Sequence, residues 1–111
     1  MKCETLDIWK RSCRLSSEIY KYFLEHKDYG FKDQITRSSL SVPSNIAEGL
    51  EKDSKNEMKR FLGYSISSCA ELITQIYIGM EISYIDKQIG FGWIKEVNEI
   101  MKMIKTFQKN L

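Results

Sequence analysis

The sequence predicts an all-α protein, an antiparallel up-down-up-down bundle of four helices. Apolar residues recur every three or four positions through four long segments, which is the period of an amphipathic helix. No segment shows the alternation of apolar and polar residues that half-buried strands have, and the connections between segments are short. With 111 residues, the chain has room for one hydrophobic core, so we predict a single domain over residues 1–111.

The first predicted helix, Leu6 to Glu25, contains no glycine or proline and has two apolar faces. One face follows a heptad-like spacing. The second face consists of Ile8, Leu15, Ile19 and Tyr22. Because a surface helix of a small monomer normally has one apolar stripe, we expect this second face to be partly buried between the chains of a homo-oligomer.

The second predicted helix, Lys32 to Leu50, contains the only proline of the chain, Pro43. Proline lacks an N–H group and clashes with the preceding turn, so we expect the helix to kink or restart there. Gly49 is expected to mark the end of this helix. One face of the segment is polar and consists of Gln34, Arg37, Ser41, Asn45 and Glu48.

The third predicted helix begins at a capping box formed by Ser54 and Glu57, and it ends near residue 83. Two glycines in the segment 84–92 indicate a connection there. The fourth helix is then predicted to begin at Trp93, with an apolar side and an opposite side rich in lysine.

Composition and cysteine usage favour a cytoplasmic protein without a membrane segment. Cys3, Cys13 and Cys69 are widely spaced and odd in number, so they cannot form a closed set of disulfides, and a reducing compartment fits them best. We interpret Cys13 and Cys69 as small buried apolar side chains. No apolar run has the length of a membrane span or of a signal-peptide core.

The residues that catalysis usually requires are scarce. His26 is the only histidine, so no tetrahedral zinc site and no serine–histidine or cysteine–histidine pair finds its full set of partners. No glycine-rich phosphate loop is present. We therefore predict that the protein is not an enzyme and uses no metal or cofactor.

The polar stripe of the second helix has two interpretations. In the first, Gln34, Arg37 and Asn45 donate to phosphates or base edges of RNA, while Glu48 orients Arg37. In the second, the stripe forms a network between helices or between subunits, in which Arg37 pairs with Glu48 or with Glu71 of the third helix.

Basic residues recur on the first and fourth helices. The two stripes consist of Lys10, Arg14 and Lys21, and of Lys95, Lys102, Lys105 and Lys109. Either stripe has the spacing to follow a phosphate backbone, and either also fits a solvated surface. The net charge is only +2, from 17 basic and 15 acidic residues, so nucleic-acid binding would depend on local arrangement or on oligomerisation.

The run SVPSNIAEG, from Ser41 to Gly49, resembles the signature of the small four-helix-bundle proteins encoded in intervening sequences of bacterial 23S ribosomal RNA genes. Relatives of that family include the accessory variability proteins of diversity-generating retroelements. The segments LDIWK, residues 6–10, and KRFL, residues 59–62, resemble further family motifs. The resemblance implies an antiparallel bundle that assembles into a ring-like homopentamer with a central pore. The signature positions assigned to an interface or a binding site are Gln34, Ser41, Pro43, Asn45, Glu48, Gly49 and Glu71.

The chain departs from the retroelement proteins in two ways. Glu51 and Lys52 stand where a glycine–arginine step usually follows the family signature, and the net charge is low for a strongly basic ring. The intervening-sequence proteins are therefore the closer match.

Two functional hypotheses follow. The first is a non-enzymatic, ring-forming protein that binds RNA or DNA weakly, with ribosomal RNA or its intervening sequence as the candidate ligand. The alternative is a structural or adaptor protein that binds another protein through its oligomeric scaffold. Salt-dependent association with RNA would distinguish the two.

Overall fold

Four α-helices make up most of the chain. The computed structural model describes residues 2–111 and contains no strand among them. The helices are α1, Asp7–Tyr22; α2, Tyr29–Leu50; α3, Lys55–Glu81; and α4, Lys87–Lys109. They form a body of 43 × 21 × 21 Å. The prediction of an all-α fold with four helices is confirmed.

The starts of α2, α3 and α4 are set by capping side chains. Asp28, Ser54 and Asp86 each accept a hydrogen bond, 3.1 Å long, from the backbone N–H three residues later. Ser54 therefore caps α3 as predicted. The aspartate caps start α2 three residues, and α4 six residues, before the predicted positions.

The carboxylate of Glu57 does not complete the capping box in the way the sequence predicts. It accepts from Arg60 instead, at 3.0 Å to Nε and 2.8 Å to Nη2. Arg60 lies one turn further along α3, so the pair stabilises the first turn of that helix.

The predicted connection over residues 84–92 is too long, because its two glycines are helical. A Cβ atom on Gly90 would lie 2.4 Å from Sδ of Met80 in α3. Glycine at this position therefore permits a close approach of the two helices. Its role in the fold is packing rather than turn formation.

Pro43 is buried within a helix that continues from residue 29 to residue 50, so the predicted restart is wrong. The hydroxyl of Ser39 donates to the carbonyl of Thr36 at 2.8 Å, and the hydroxyl of Ser41 donates to the carbonyl of Arg37 at 2.9 Å. Burial of the proline ring offsets part of the cost of its missing N–H group. α2 ends one residue beyond Gly49, at Leu50.

The second apolar face of α1, which the sequence predicted to be partly buried between chains, is largely buried within the chain. Ile8, Leu15 and Ile19 are buried in the chain's own core, at 5%, 6% and 0% exposure. α1 packs against both α2 and α4, so each of its apolar faces finds a partner within the chain. Tyr22 is partly exposed, but its ring lies 5.1 Å from that of Trp93. These residues give no support for an interface between chains.

Each helix contacts the helices before and after it, and α4 also contacts α1. The contact between α2 and α3 is the most extensive, and that between α1 and α4 is the least extensive. The loops after α1 and after α3 lie at the same end of the molecule. There the hydroxyl of Tyr84 donates to Oδ2 of Asp28 at 2.8 Å, and the backbone N–H of Asp86 donates to the hydroxyl of Tyr22 at 2.9 Å.

Candidate functional site

A polar cleft lies between α2 and α3. We refer to it as the polar cleft, and its lining residues are Gln34, Arg37, Ser38, Ser41, Glu71 and Gln75. Its volume is about 390 Å³. The α2 residues recur at spacings of three and four, as do Glu71 and Gln75 on α3, so each helix presents one polar edge to the same groove.

One hydrogen bond between side chains joins the two walls of the polar cleft. The hydroxyl of Ser38, which is 4% exposed, donates to Oε1 of Glu71 at 2.9 Å. Glu71 is itself exposed. The bond therefore fixes one carboxylate oxygen and leaves the other facing solvent.

Gln75 lies one turn beyond Glu71 on the same wall. Its Oε1 atom is buried and has no hydrogen-bond partner within residues 2–111. An unpaired buried acceptor costs about 1–3 kcal/mol. The polar cleft thus contains a buried acceptor that no donor within residues 2–111 satisfies.

Arg37 does not form either of the ion pairs expected for it. Its Nε atom lies 3.1 Å from Oδ2 of Asp33, one turn earlier on α2, and its side chain is 75% exposed. The hydrogen bond from Asp33 raises the pKa of Arg37. Glu48 is eleven residues away, roughly 16 Å along the helix axis, and Glu71 is bonded to Ser38. The buried network around Arg37 that one interpretation required is therefore absent from the described residues.

The other signature positions serve the packing of α2 or lie at its surface. Pro43 and Gly49 are buried, and a Cβ atom on Gly49 would lie 2.9 Å from Cβ of Phe61. Asn45 donates from Nδ2 to the carbonyl of Ser41 at 2.9 Å, within its own helix. Glu48 is exposed. Ser41 and Gln34 are thus the only residues of this predicted stripe, besides Arg37, that line the polar cleft.

All seven residues of the two basic stripes are exposed. Arg14 borders a groove between α1 and α4 that also contains Glu18 and Glu96. Lys102 borders a second groove between the same helices, while Lys105 lies near Cys69 of α3. Burial raises the pKa of the Cys69 thiol to about 12, and the charge of Lys105 opposes that rise. The stripes therefore do not converge on one groove, since Lys21 borders a groove between α1 and α2, and none of the seven residues lines the polar cleft.

The most extensive ion pair of the molecule involves Arg11, which the sequence did not single out. Its Nε donates to Oε2 of Glu96 at 2.9 Å, and its Nη2 lies 3.3 Å from Oε1 of Glu99. The hydrogen bond from Arg11 lowers the pKa of Glu96, and the same bond raises the pKa of Arg11. The pair joins α1 to α4.

Within residues 2–111, no three histidine, cysteine or acidic side chains lie close enough together to hold a metal ion. Nor is any helix of that range both long and apolar enough to cross a membrane. All three cysteines are free thiols, and Cys69 is fully buried as predicted.

Comparison with known proteins identifies the chain's relatives. The model of the family described as 23S rRNA-intervening sequence protein matches residues 4–106. This protein belongs to that family. The solved structures include a similar one, a crystal structure of a protein of unknown function from the S23 ribosomal protein family of Bacteroides thetaiotaomicron VPI-5482. It is 22% identical, with a TM-score of 0.86, and the match covers 92% of this chain and 98% of that one. No curated protein matches the sequence.

The match to the 23S rRNA-intervening sequence proteins includes every residue of the polar cleft. It also includes the basic residues of both stripes except Lys109, which lies beyond the matched range. Ser38 and Gln75 of the cleft were not among the predicted site residues. The spacing of Ser38 between Gln34 and Ser41, and of Gln75 after Glu71, could have placed them on the same faces.

Proposed function

We propose that this protein is a non-enzymatic homo-oligomer of the cytoplasm that binds RNA or DNA weakly, with ribosomal RNA or its intervening sequence as the candidate ligand. One observation carries the proposal. Within residues 2–111, none of the seven exposed cations of the two basic stripes forms an ion pair or a side-chain hydrogen bond. Unpaired surface cations can exchange their counterions for phosphates. The description of the family, which refers to 23S rRNA, supports the same ligand class.

A salt titration with structured RNA tests this function. Association should be measurable near 50 mM salt and should weaken steeply as salt rises. Replacing Lys95 and Lys102 by Gln should flatten the dependence of log K on log salt by about 0.7–0.9 for each phosphate that the variant no longer neutralises. Arg60→Gln is the matched control, because that guanidinium already pairs with Glu57. Absence of association near 50 mM salt would refute the proposal.

We further propose that the helices run up-down-up-down and that the subunits form a ring-like homopentamer related to the retroelement proteins. Contacts between sequential helices support this helix order: Ser38 of α2 bonds Glu71 of α3, whereas Val42, further along α2, accepts from Ser65, earlier in α3. In the same way Gln108, near the end of α4, bonds the carbonyl of Lys59, near the start of α3. A largely apolar groove of about 390 Å³ between α1 and α2 is suited to a neighbouring subunit, with Tyr20 and Leu40 exposed at its edge. Lys21 also lines this groove, so in the ring it would face the subunit contact and leave the other six cations to nucleic acid.

The adaptor function remains the second candidate because one end of the molecule is apolar. We call this surface the apolar end, and it consists of Leu24, Tyr29, Tyr77, Ile78, Ile82, Ile89 and Phe91, all of them exposed. An exposed apolar surface of this kind is typical of protein–protein contacts. Binding that survives at high salt and ignores RNA would favour this candidate.

A further inference from the structure

The polar cleft presents hydrogen-bond acceptors on its α3 wall. Oε1 of Glu71 is held by Ser38, whereas Oε2 has no hydrogen-bond partner within residues 2–111. Oε1 of Gln75 is buried and also unpaired within that range. Because Oε1 of Gln75 is closed to solvent, the carboxylate of Glu71 is the acceptor that a ligand reaches, and the ligand must donate to it.

The opposite side of the polar cleft supplies a positive charge. Arg37 uses Nε and Nη2 to bind Asp33, which leaves the Nη1 edge of its guanidinium directed to other partners. A planar guanidinium is well suited to a phosphate oxygen. The ligand should therefore combine a donor edge with an anionic group.

Guanine nucleotides have this combination of groups. The Watson–Crick edge of guanine presents two adjacent donors, N1–H and the N2 amino group, which match the two oxygens of a carboxylate. Oε1 of Glu71 can accept one of them beside the bond from Ser38, because each carboxylate oxygen has two lone pairs. Uracil presents a single donor on that edge, and adenine presents its amino group beside an acceptor. In a duplex the edge is already paired, so the base must come from a single strand or a loop. The cleft volume of about 390 Å³ is within the usual range of small-ligand pockets.

We propose that the polar cleft binds the Watson–Crick edge of an unpaired guanine in RNA, with the carboxylate of Glu71 accepting from the base and Arg37 binding a neighbouring phosphate. The proposal rests on the RNA-binding function above and adds a base preference to it. It also assigns the phosphate contact of Arg37 to a site separate from the two basic stripes.

Three labelled single-stranded RNA decamers test the base preference on the unaltered protein by fluorescence anisotropy. The first is all uridine, the second contains one central guanosine, and the third replaces that guanosine by inosine, which lacks the N2 amino group. We expect the guanosine decamer to bind about tenfold more tightly than the uridine decamer. The inosine decamer should lie between them, because it keeps N1–H alone.

Substitutions locate that preference within the polar cleft. Glu71→Gln replaces one of the two carboxylate oxygens by an amide NH2, which cannot accept from guanine, so the guanosine decamer should lose its advantage over the uridine decamer. Glu81→Gln is the matched control, since Glu81 is an exposed glutamate on the same helix outside the cleft. Arg37→Ala should weaken all three decamers and flatten the salt dependence by about 0.7 in a single-stranded complex.

The outcomes separate this proposal from the function on which it rests. Equal binding of all three decamers to the unaltered protein would overturn the guanine site while leaving general RNA binding intact. No binding of any RNA near 50 mM salt would overturn both. If Glu71→Gln instead dissociates the oligomer and keeps the guanosine preference, the polar cleft is a contact between copies and the proposal is wrong.

Discussion

The hydroxyl of Ser38 is the single side-chain bridge across the polar cleft within residues 2–111, and it lies in a nearly buried position. Ser38→Ala removes this donor and leaves Glu71 without its partner. The free energy of unfolding, measured in urea, should fall by about 1 kcal/mol. Ser44→Ala provides the control, because Ser44 is exposed on the same helix and alanine there should be neutral or slightly stabilising. Equal changes in the free energy of unfolding for Ser38→Ala and Ser44→Ala would show that the hydrogen bond from Ser38 to Glu71 does not stabilise the fold.

Arg37 is exposed at the surface, whereas Ser38 is buried. The only ion pair of Arg37 within residues 2–111, with Asp33, is exposed and lies within one helix, where such pairs contribute little. Arg37→Ala should therefore leave the melting temperature unchanged in a thermal scan. A clear drop would show that Arg37 belongs to a buried network in the assembled protein.

The pair of Arg11 and Glu96 makes part of the stability depend on pH. The hydrogen bond from Arg11 lowers the pKa of Glu96 from its ordinary value of 4.5, so this contribution is present above that value. It is lost as pH falls through the lowered pKa. Arg11→Gln should cost about 1 kcal/mol at neutral pH.

Urea titrations from pH 7 to pH 3 measure this dependence. The gap between the unaltered protein and Arg11→Gln should stay constant down to about pH 5 and then narrow. Arg60→Gln, an exposed pair on α3, should show a smaller gap throughout. A gap for Arg11→Gln that widens in acid would contradict the sign of the shift.

At the scale of the helices, we expect replacement by alanine to have opposite effects on stability at two glycines, Gly49 and Gly92. A Cβ atom on Gly49 would lie 2.9 Å from Cβ of Phe61, so alanine there must push α2 away from α3. Gly92 has no atom within 4 Å of such a Cβ. Gly49→Ala should destabilise the fold by about 1–3 kcal/mol, whereas Gly92→Ala should stabilise it by roughly 0.5–1 kcal/mol. Stabilisation by both would show that the α2–α3 contact can relax.

Helical periodicity predicted the number of helices but not all of their boundaries. Four amphipathic segments were sufficient to predict four helices, because burial of an apolar stripe depends on local spacing. The starts of α2 and α4 were missed because the nearby glycines were interpreted as turn residues, although aspartate is a preferred N-cap residue and both Asp28 and Asp86 cap a helix. Gly90 was assigned to a connection because only its contact with Met80 shows why glycine is needed inside a helix.

At the scale of the whole molecule, the ring predicts a mass five times that of one 13.1-kDa chain, about 65 kDa. Light scattering at micromolar concentration measures it. Leu40→Glu, at the edge of the apolar groove between α1 and α2, should lower that mass because it places a charge in a desolvated contact. Leu24→Glu, at the apolar end, is the control and should leave the ring intact. A mass near 13 kDa for the unaltered protein would contradict the assembly.

The substitution Ile19→Glu tests whether Ile19 belongs to the core of a single chain or to a contact between chains. Ile19 is fully buried, so the charge should unfold the protein rather than dissociate an intact ring. Circular dichroism distinguishes the two, because dissociation alone would preserve the helical signal. Folded monomers of this variant would show that the second face of α1 is an interface after all.

Local sequence determined the helical class, the cap at Ser54, the buried cysteine at position 69 and the polar edges that line the cleft. Each depends on residue type and on spacing within a few turns. Only the tertiary structure decided that both apolar faces of α1 are used within one chain, since that depends on how α2 and α4 enclose the helix. It also decided that Ser38 of α2 takes Glu71 of α3, which leaves Arg37 with Asp33, its neighbour one turn earlier on the same helix. Hydrogen bonds between helices depend on the relative position of two backbones, and helical periodicity alone contains no information on that position.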